Sequence, residues 1–256
     1  MASSTKKIAV IAHRGASGTA PENTLASIKL ALEMHVDMIE IDIHLSKDSI
    51  PVVIHDETLN RTTNGKGKVK DFSVKELKKL DAGKWFSDKY INEEIPTLEE
   101  VIELTKGKCI LLIEIKNGSS IYPNIEKITL NIIKNKNAQN DCIIQSFDDE
   151  VTRNLEKQNC TIQLQKLVTG NLRFIPFHLV DTKIKFGSIY KYKNVSAINP
   201  NLNYVNKDVV NKIHTAGQKI FCWTVNKNKD MIRMIECGVD GIITNYPEKL
   251  IEILKK

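Results

Sequence analysis

Short runs of apolar, β-branched residues recur along the chain, and stretches of helical period separate most of them. The runs predict strands near Ile8–His13, Asp37–Ser46, Cys109–Ile115, Cys142–Phe147, Thr161–Val168, Val195–Asn199, Lys219–Val225 and Asp240–Thr244. The intervening patterns predict helices over Thr24–His35, Leu98–Thr105, Ile125–Asn135, Asp148–Gln158, Lys207–Ala216 and Lys229–Cys237, and a last helix, Pro247–Leu254, closes the chain. Asn23 or Thr24 supplies a first N-cap and Asp148 another. Strands separated by helices call for parallel pairing with right-handed crossovers. A closed (β/α)8 TIM barrel fits this order better than an open doubly wound sheet.

Two stretches depart from the alternation. A second apolar run, Pro51–Asp56, begins too soon after the second strand for a parallel crossover, so it reads as a hairpin return. The segment Glu57–Pro96 lacks a clean core pattern and carries Gly65, Gly67, Gly83 and the pair Trp85–Phe86. It reads as a small insertion beside the barrel mouth, with Trp85 and Phe86 in a mini-core of its own. Residues 1–256 are thus expected to form a single barrel domain with an insertion at about 57–96.

Composition adds bounds. The chain has 256 residues, 41% of them hydrophobic, which suits one large core and not a disordered polymer. The net charge of +6 favours an anionic substrate in a general way, but the lysines are scattered, with no basic stripe and no interleaved aromatics. Nucleic acid is therefore not an expected partner. The five cysteines (Cys109, Cys142, Cys160, Cys222, Cys237) are odd in number, lack metal-site spacing and sit mostly in or beside strands, so they read as free thiols of a reducing, cytoplasmic protein. No run has the length of a membrane span, no amphipathic anchor helix stands out and no leader is visible ahead of the first strand; a secreted protein lacking its leader would read the same. Nothing in the sequence sets an oligomeric state.

Barrel sites lie at the C-terminal ends of the strands. The first strand ends in His13-Arg14-Gly15. The second carries Glu40 and Asp42, which share a face because strand side chains alternate, while Ile39, Ile41 and Ile43 take the other. An acidic pair on the inner face costs several kcal/mol unless a cation or hydrogen bonds compensate. If Lys47–Ile50 forms the hairpin turn, Ser46 lies opposite Pro51, and counting back sets Asp42 opposite His55. On the next barrel strand Glu114 and Lys116 share a face at the C-terminal end. Three carboxylates suit one hard cation, Mg²⁺ or Ca²⁺. Arg14 and Lys116 suit phosphate oxygens, and His13 and His55 suit general acid–base work near neutral pH. Taken singly, each of these residues has a plain structural reading; their convergence at one end of the barrel carries the functional one. His44 shares the alternation of Asp42 but lies above the barrel, as a supporting or surface histidine. His35, His178 and His214 receive no role.

At these positions the sequence resembles the glycerophosphodiester phosphodiesterase family. The resemblance rests on His13-Arg14-Gly15-Ala16-Ser17-Gly18 with Pro21-Glu22-Asn23-Thr24; on Ile39–Ile43, Ser46-Lys47-Asp48 and Pro51–Asp56; on Leu59 and Arg61-Thr62-Thr63 with Gly65; and on Ile113-Glu114-Ile115-Lys116. It continues through Gln145-Ser146-Phe147, Trp223-Thr224-Val225-Asn226 and Gly238–Pro247. It implies a TIM barrel that hydrolyses small glycerophosphodiesters, such as glycerophosphocholine or glycerophosphoethanolamine, to sn-glycerol 3-phosphate and an alcohol. It implies His13 and His55 as the acid–base pair and Glu40, Asp42 and Glu114 as ligands of one divalent metal. Arg14 and Lys116 would bind phosphate, Trp223 would pack against the glycerol side, and Glu22 would stand behind the site. Lys116 two after Glu114, with the Pro-Glu-Asn-Thr block, separates this family from other two-histidine phosphodiesterase barrels. A lysophospholipase D-like activity and an idle barrel that only binds phosphate esters are the competing readings. The head group is not legible, because it depends on the insertion and on loops such as Gly170–Lys193.

Overall fold

The predicted strands form, and they close on one another. A computed structural model describes residues 7–158, 161–168 and 192–255. Eight parallel strands make the barrel: β1 (Ala9–His13), β2 (Met38–Leu45), β4 (Ile110–Ile115), β5 (Cys142–Ser146), β6 (Gln163–Val168), β7 (Ala197–Pro200), β8 (Lys219–Cys222) and β9 (Gly241–Thr244), with β1 pairing both β2 and β9. The short β3 (Pro51–Val53) adds to β2 antiparallel. Helices α1 (Leu25–Glu33), α3 (Leu98–Thr105), α4 (Ile125–Asn135), α5 (Asp149–Lys157), α6 (Lys207–Thr215), α7 (Asn228–Cys237) and α8 (Pro247–Leu254) follow the strands. Thr24, not Asn23, caps α1 by accepting from Ser27 N, and Asp148 caps α5 as expected.

Strand alternation sorts the core into two shells. Ala12, Ile39, Ile41, Ile43, Ile113 and Ile144 face outward and meet the helices. Ile11, Leu112, Ile143, Ala197, Phe221 and Ile243 fill the barrel interior. Two residues further along the same inner faces come His13, Glu114, Gln145, Asn199 and Trp223. One period-2 step toward the C-terminal end thus replaces an apolar layer with a polar one. Asn199 Nδ2 donates to Gln145 Oε1 and Gln165 Oε1, 2.8 Å each, and so ties three strands together beneath the site.

The hairpin register differs by one residue from the sequence expectation. The ladder pairs Leu45 with Pro51 and Ile43 with Val53. Ser46 N donates to Ile50 O at 3.0 Å and Ile54 N to Asp42 O at 3.0 Å, so Asp42 lies opposite Ile54 and not His55. The turn is the three residues Lys47–Ser49, with Ser49 in the left-handed region (φ 61°), a common three-residue hairpin geometry. His55 still lines the cavity at the barrel mouth, because it stands one residue past Ile54, whose bond to Asp42 O is the last of the hairpin.

The stretch after the hairpin packs around a core made by Val52, Ile54, Leu59, Val69, Leu77 and Ile95, with the one-turn helix α2 (Val74–Leu77) in its middle. The aromatic pair does not join it. Trp85 is 41% exposed, its indole Nε1 donates to Ala82 O at 2.9 Å, and its ring meets Phe86 edge-on. The pair sits on a tight turn closed by Gly83, whose Cα faces the Tyr90 carbonyl too closely for any Cβ, and that turn carries Trp85 away from the core. Cys109, Cys142, Cys222 and Cys237 are free thiols; Cys160, His178 and most of the loop Gly170–Lys193 lie outside the described residues. Among the described residues no helix is long and apolar enough to cross a membrane.

Candidate active site

The residues singled out in the sequence meet at the C-terminal end of the barrel. His13, Arg14, Glu40, His55, Glu114, Lys116 and Trp223 line one cavity of about 80 Å³, together with Gln145 and Phe147. Asp42 does not line it: it is fully buried, paired with Arg14 and Lys116, which do. The barrel register explains the grouping: His13 is the strand neighbour of Glu40, and Asp42 of Glu114.

Glu40, Asp42 and Glu114 are all buried, and each offers an oxygen within 4.8 Å of the others. Two cations face them. Lys116 Nζ lies 2.6 Å from Glu114 Oε1 and 3.0 Å from Asp42 Oδ1, and Arg14 Nε lies 3.2 Å from Asp42 Oδ2. Asp42 Oδ1 and Arg14 Nε are nevertheless off hydrogen-bond geometry and remain unsatisfied. A buried carboxylate oxygen without a hydrogen bond, next to two more carboxylates, is what a hard cation needs, and the donor set fits one. The titration behaviour agrees. Burial, then Asp42 and Glu114, push Glu40 well above the usual carboxylate range. Burial likewise raises Glu114 to about 7, although Lys116 pulls against it. Burial opposes the charge of Asp42 too, but Lys116 and Arg14 outweigh it and hold its carboxyl well below the usual range. Like charges crowded this closely cannot all ionise without a further positive charge.

Arg14 follows β1 with φ 58°, and Gly15 with φ 78°, where a Cβ would fall 2.5 Å from Ser27 Oγ. This left-handed step turns the guanidinium back over Asp42 while Arg14 N donates to Glu40 Oε2 at 3.0 Å. Behind it Glu22 accepts from Arg14 Nη1 at 2.8 Å.

The two histidines are held differently. His13 Nδ1 donates to Asn245 Oδ1 at 2.6 Å, and burial followed by the charge of Arg14 lowers its pKa to about 3. His55 Nδ1 donates to the Asp56 carboxylate at 2.7 Å. Burial lowers the His55 pKa as well, with Asp42 and Asp56 pulling it back up. In both rings Nδ1 is committed as a donor, which leaves Nε2 to the cavity. His44 is buried rather than on the surface: Nε2 donates to His55 O at 2.9 Å, and Nδ1 accepts from Tyr122 Oη at 2.8 Å. Trp223 donates from Nε1 to Asn199 O at 2.7 Å and stands edge-on to Phe147, forming an aromatic wall.

Asn23, Asp56, Arg61, Gln145 and Asn245 are not among the site residues that the sequence points to; it offers Asn23 only as a helix cap. Asn23 Nδ2 donates to Asp42 Oδ2 at 2.9 Å from the start of α1. All five stand in the motif blocks that carried the family resemblance, and that position was the available signal.

Comparison with known proteins agrees along nearly the whole chain. Residues 13–249 match the sequence model of the glycerophosphoryl diester phosphodiesterase family. A glycerophosphodiester phosphodiesterase of Caldanaerobacter subterraneus subsp. tengcongensis is 43% identical over 98% of this chain and 99% of its own length. A glycerophosphodiester phosphodiesterase of Bacillus subtilis is 33% identical over 98% of this chain and 88% of its own. Among solved structures, an Oleispira antarctica phosphodiesterase in complex with the product sn-glycerol-3-phosphate superposes with a TM-score of 0.86 at 29% identity, covering 97% of each chain. The chain belongs to the glycerophosphoryl diester phosphodiesterase family and is a phosphodiester hydrolase.

Proposed function

We propose that the chain hydrolyses small glycerophosphodiesters, such as glycerophosphocholine and glycerophosphoethanolamine, to sn-glycerol 3-phosphate and the free alcohol. The observation that carries this is the cavity lined by His13, His55, Arg14, Lys116, Glu40 and Glu114, with Asp42 buried within reach of the two glutamates. Its small volume and aromatic wall at Trp223 and Phe147 suit a glycerol moiety. The Oleispira relative, solved with sn-glycerol-3-phosphate, supports the same product.

Glu40, Asp42 and Glu114 would hold one Mg²⁺ or Ca²⁺. When bound, such an ion offsets the negative charge of the phosphate in the transition state. Arg14 brings a planar fork to phosphate oxygens and Lys116 a point charge. His13, backed by a neutral amide, stays uncharged and accepts a proton from the glycerol 2-hydroxyl. His55, backed by a carboxylate that favours its imidazolium, gives a proton to the leaving alcohol. The bond from the 2-oxygen to phosphorus forms as the bond to the alcohol oxygen breaks. Water then opens the cyclic phosphate with the two histidines in exchanged roles.

Release of glycerol 3-phosphate from glycerophosphocholine, with and without EDTA, tests this in wild type and His55→Ala. Metal-dependent release that the substitution abolishes is the expected result. Absence of release from folded protein with Mg²⁺, Ca²⁺ and Mn²⁺ in turn overturns the substrate reading.

A further inference from the structure

The loop Leu59–Thr63 leaves one side chain without a role in the chemistry above. Leu59 is fully buried in the insertion core and Thr62 is 5% exposed, so they fix the backbone on either side of Arg61. The Arg61 guanidinium then spans two carboxylates that belong to different parts of the molecule. Nε donates to Asp56 Oδ2 at 2.8 Å and Nη2 to Asp56 Oδ1 at 3.0 Å. Nη1 donates to Glu22 Oε2 at 2.9 Å and Nη2 to Glu22 Oε1 at 2.8 Å. Asp56 in turn holds His55 Nδ1, and Glu22 holds Arg14 Nη1. The result is one chain of alternating charge, His55–Asp56–Arg61–Glu22–Arg14, that leaves the cavity at one residue and re-enters it at another.

We propose that Arg61 is a positioning residue: it locks the acid–base imidazole of His55 and the phosphate-facing guanidinium of Arg14 into one frame, so that the insertion sets the geometry of the reaction. The inference rests on the roles assigned to His55 and Arg14 above. Without Arg61, two carboxylates that share one guanidinium would be left facing each other and would turn apart toward water. His55 would lose its fixed tautomer and Arg14 the anchor behind its fork. A lysine cannot replace this, because one ammonium does not grip two carboxylates in the bidentate manner of a planar fork. Arg61 is 43% exposed, so the bonds stabilise the fold little, and their value lies in orientation.

The test follows kcat and KM for glycerol 3-phosphate release alongside the NMR signal of the His55 Nδ1 proton. Asp56→Asn is expected to lower kcat roughly 10-fold or more, a part of the ~10²–10⁴ that a positioned acid–base group supplies, with KM nearly unchanged. Glu22→Gln is expected to raise KM with kcat nearly unchanged. Arg61→Ala should do both, and Arg61→Ala added to Asp56→Asn should lower kcat no further, since the two act on one imidazole. Arg61→Lys should fail to restore the wild-type values, whereas added guanidinium ion should partly rescue Arg61→Ala. The Nδ1 proton signal should be present in wild type and lost to exchange in Arg61→Ala. Wild-type protein that releases no glycerol 3-phosphate would sink the substrate reading, while the NMR signal would still decide the clamp. Unchanged kcat, KM and Nδ1 signal in Arg61→Ala overturn the proposal. If Arg61→Ala does not fold, folded Arg61→Lys with wild-type kcat and KM overturns it equally.

Discussion

His13 and His55 face the same cavity from two kinds of scaffold. His13 ends a barrel strand, is fixed by the pairing of β1 with β2 and β9, and has an uncharged partner in Asn245. His55 stands beyond the last paired residue of a hairpin and is fixed by charge, through Asp56 and the insertion behind it. The barrel half of the site is positioned by backbone ladders that also carry the core. The other half is positioned by side-chain bonds among residues that lie off the barrel strands. Burial lowers the pKa of both rings, but a carboxylate partner pulls against it at His55 and only a neutral amide does so at His13, so the two imidazoles differ in how readily each holds a proton.

The largest expected effects come from removing either ring. His13→Ala and His55→Ala should each lower kcat by ~10²–10⁴, the usual contribution of a positioned acid–base group, with the fold intact by circular dichroism. A His55→Ala protein that kept wild-type turnover would break the comparison, by showing that the insertion half takes no part. The partners should then separate the two sides. Asn245→Ala removes a neutral acceptor, and Asp56→Asn removes a charge. The pH–rate profile should shift to lower pH in Asp56→Asn, since loss of the carboxylate lowers the His55 pKa further, and should move less in Asn245→Ala. Equal shifts would mean that the two backings are equivalent.

Metal removal is next in size. Burial raises Glu114 to about 7, above its ordinary value, so the metal-free protein is favoured by the protonated form and loses that contribution as pH climbs through about 7. A bound divalent ion requires the carboxylate and must expel the proton. Affinity for Mg²⁺ or Ca²⁺ should therefore rise between pH 5 and 8, with proton release visible by calorimetry in buffers of different ionisation heat. At free metal of ~100 times Kd the melting transition should reflect about 2.7 kcal/mol of added stability. Metal affinity independent of pH over this range would argue against Glu114 as a ligand.

How much of this was legible depended on which force placed each residue. Period-2 alternation in β1, β2 and β4 put His13, Glu40, Asp42, Glu114 and Lys116 at one barrel end, and three helices were read with their observed bounds, because apolar faces alone determine those elements. The hairpin register lies one residue away from the sequence expectation. It depends on whether the turn takes three or four residues, and that in turn on Ser49 adopting φ 61°, which a serine does not announce. His55 nevertheless reached the site because it lies past the ladder, where register no longer applies. Asp56, Arg61 and Asn245 were unassigned for a related reason: a hydrogen-bond network across 5, 39 and 232 residues of separation leaves no periodic trace.

The smallest effects test the other difference between barrel and insertion, that of their cores. Leu77 is fully buried in the insertion core, and Leu77→Ala should cost about 2–5 kcal/mol of local stability, seen as faster amide exchange in residues 57–96 than in the barrel strands. Trp85 follows the opposite expectation. Most of what it touches is its own turn, through the Nε1 bond to Ala82 O and the edge of Phe86. Trp85→Ala should change stability by no more than about 0.5 kcal/mol, as surface substitutions away from special features do. Turnover of a small water-soluble diester should be unaffected, because Trp85 is not among the residues that line the cavity. Turnover and melting temperature measured together decide the matter. A loss above about 2 kcal/mol would return Trp85 to the mini-core that its sequence position suggested, because only a side chain packed on several sides leaves a hole of that cost. A loss of turnover with stability intact would instead place this aromatic turn against the substrate, and the head group would then be read by the insertion as well as by the barrel.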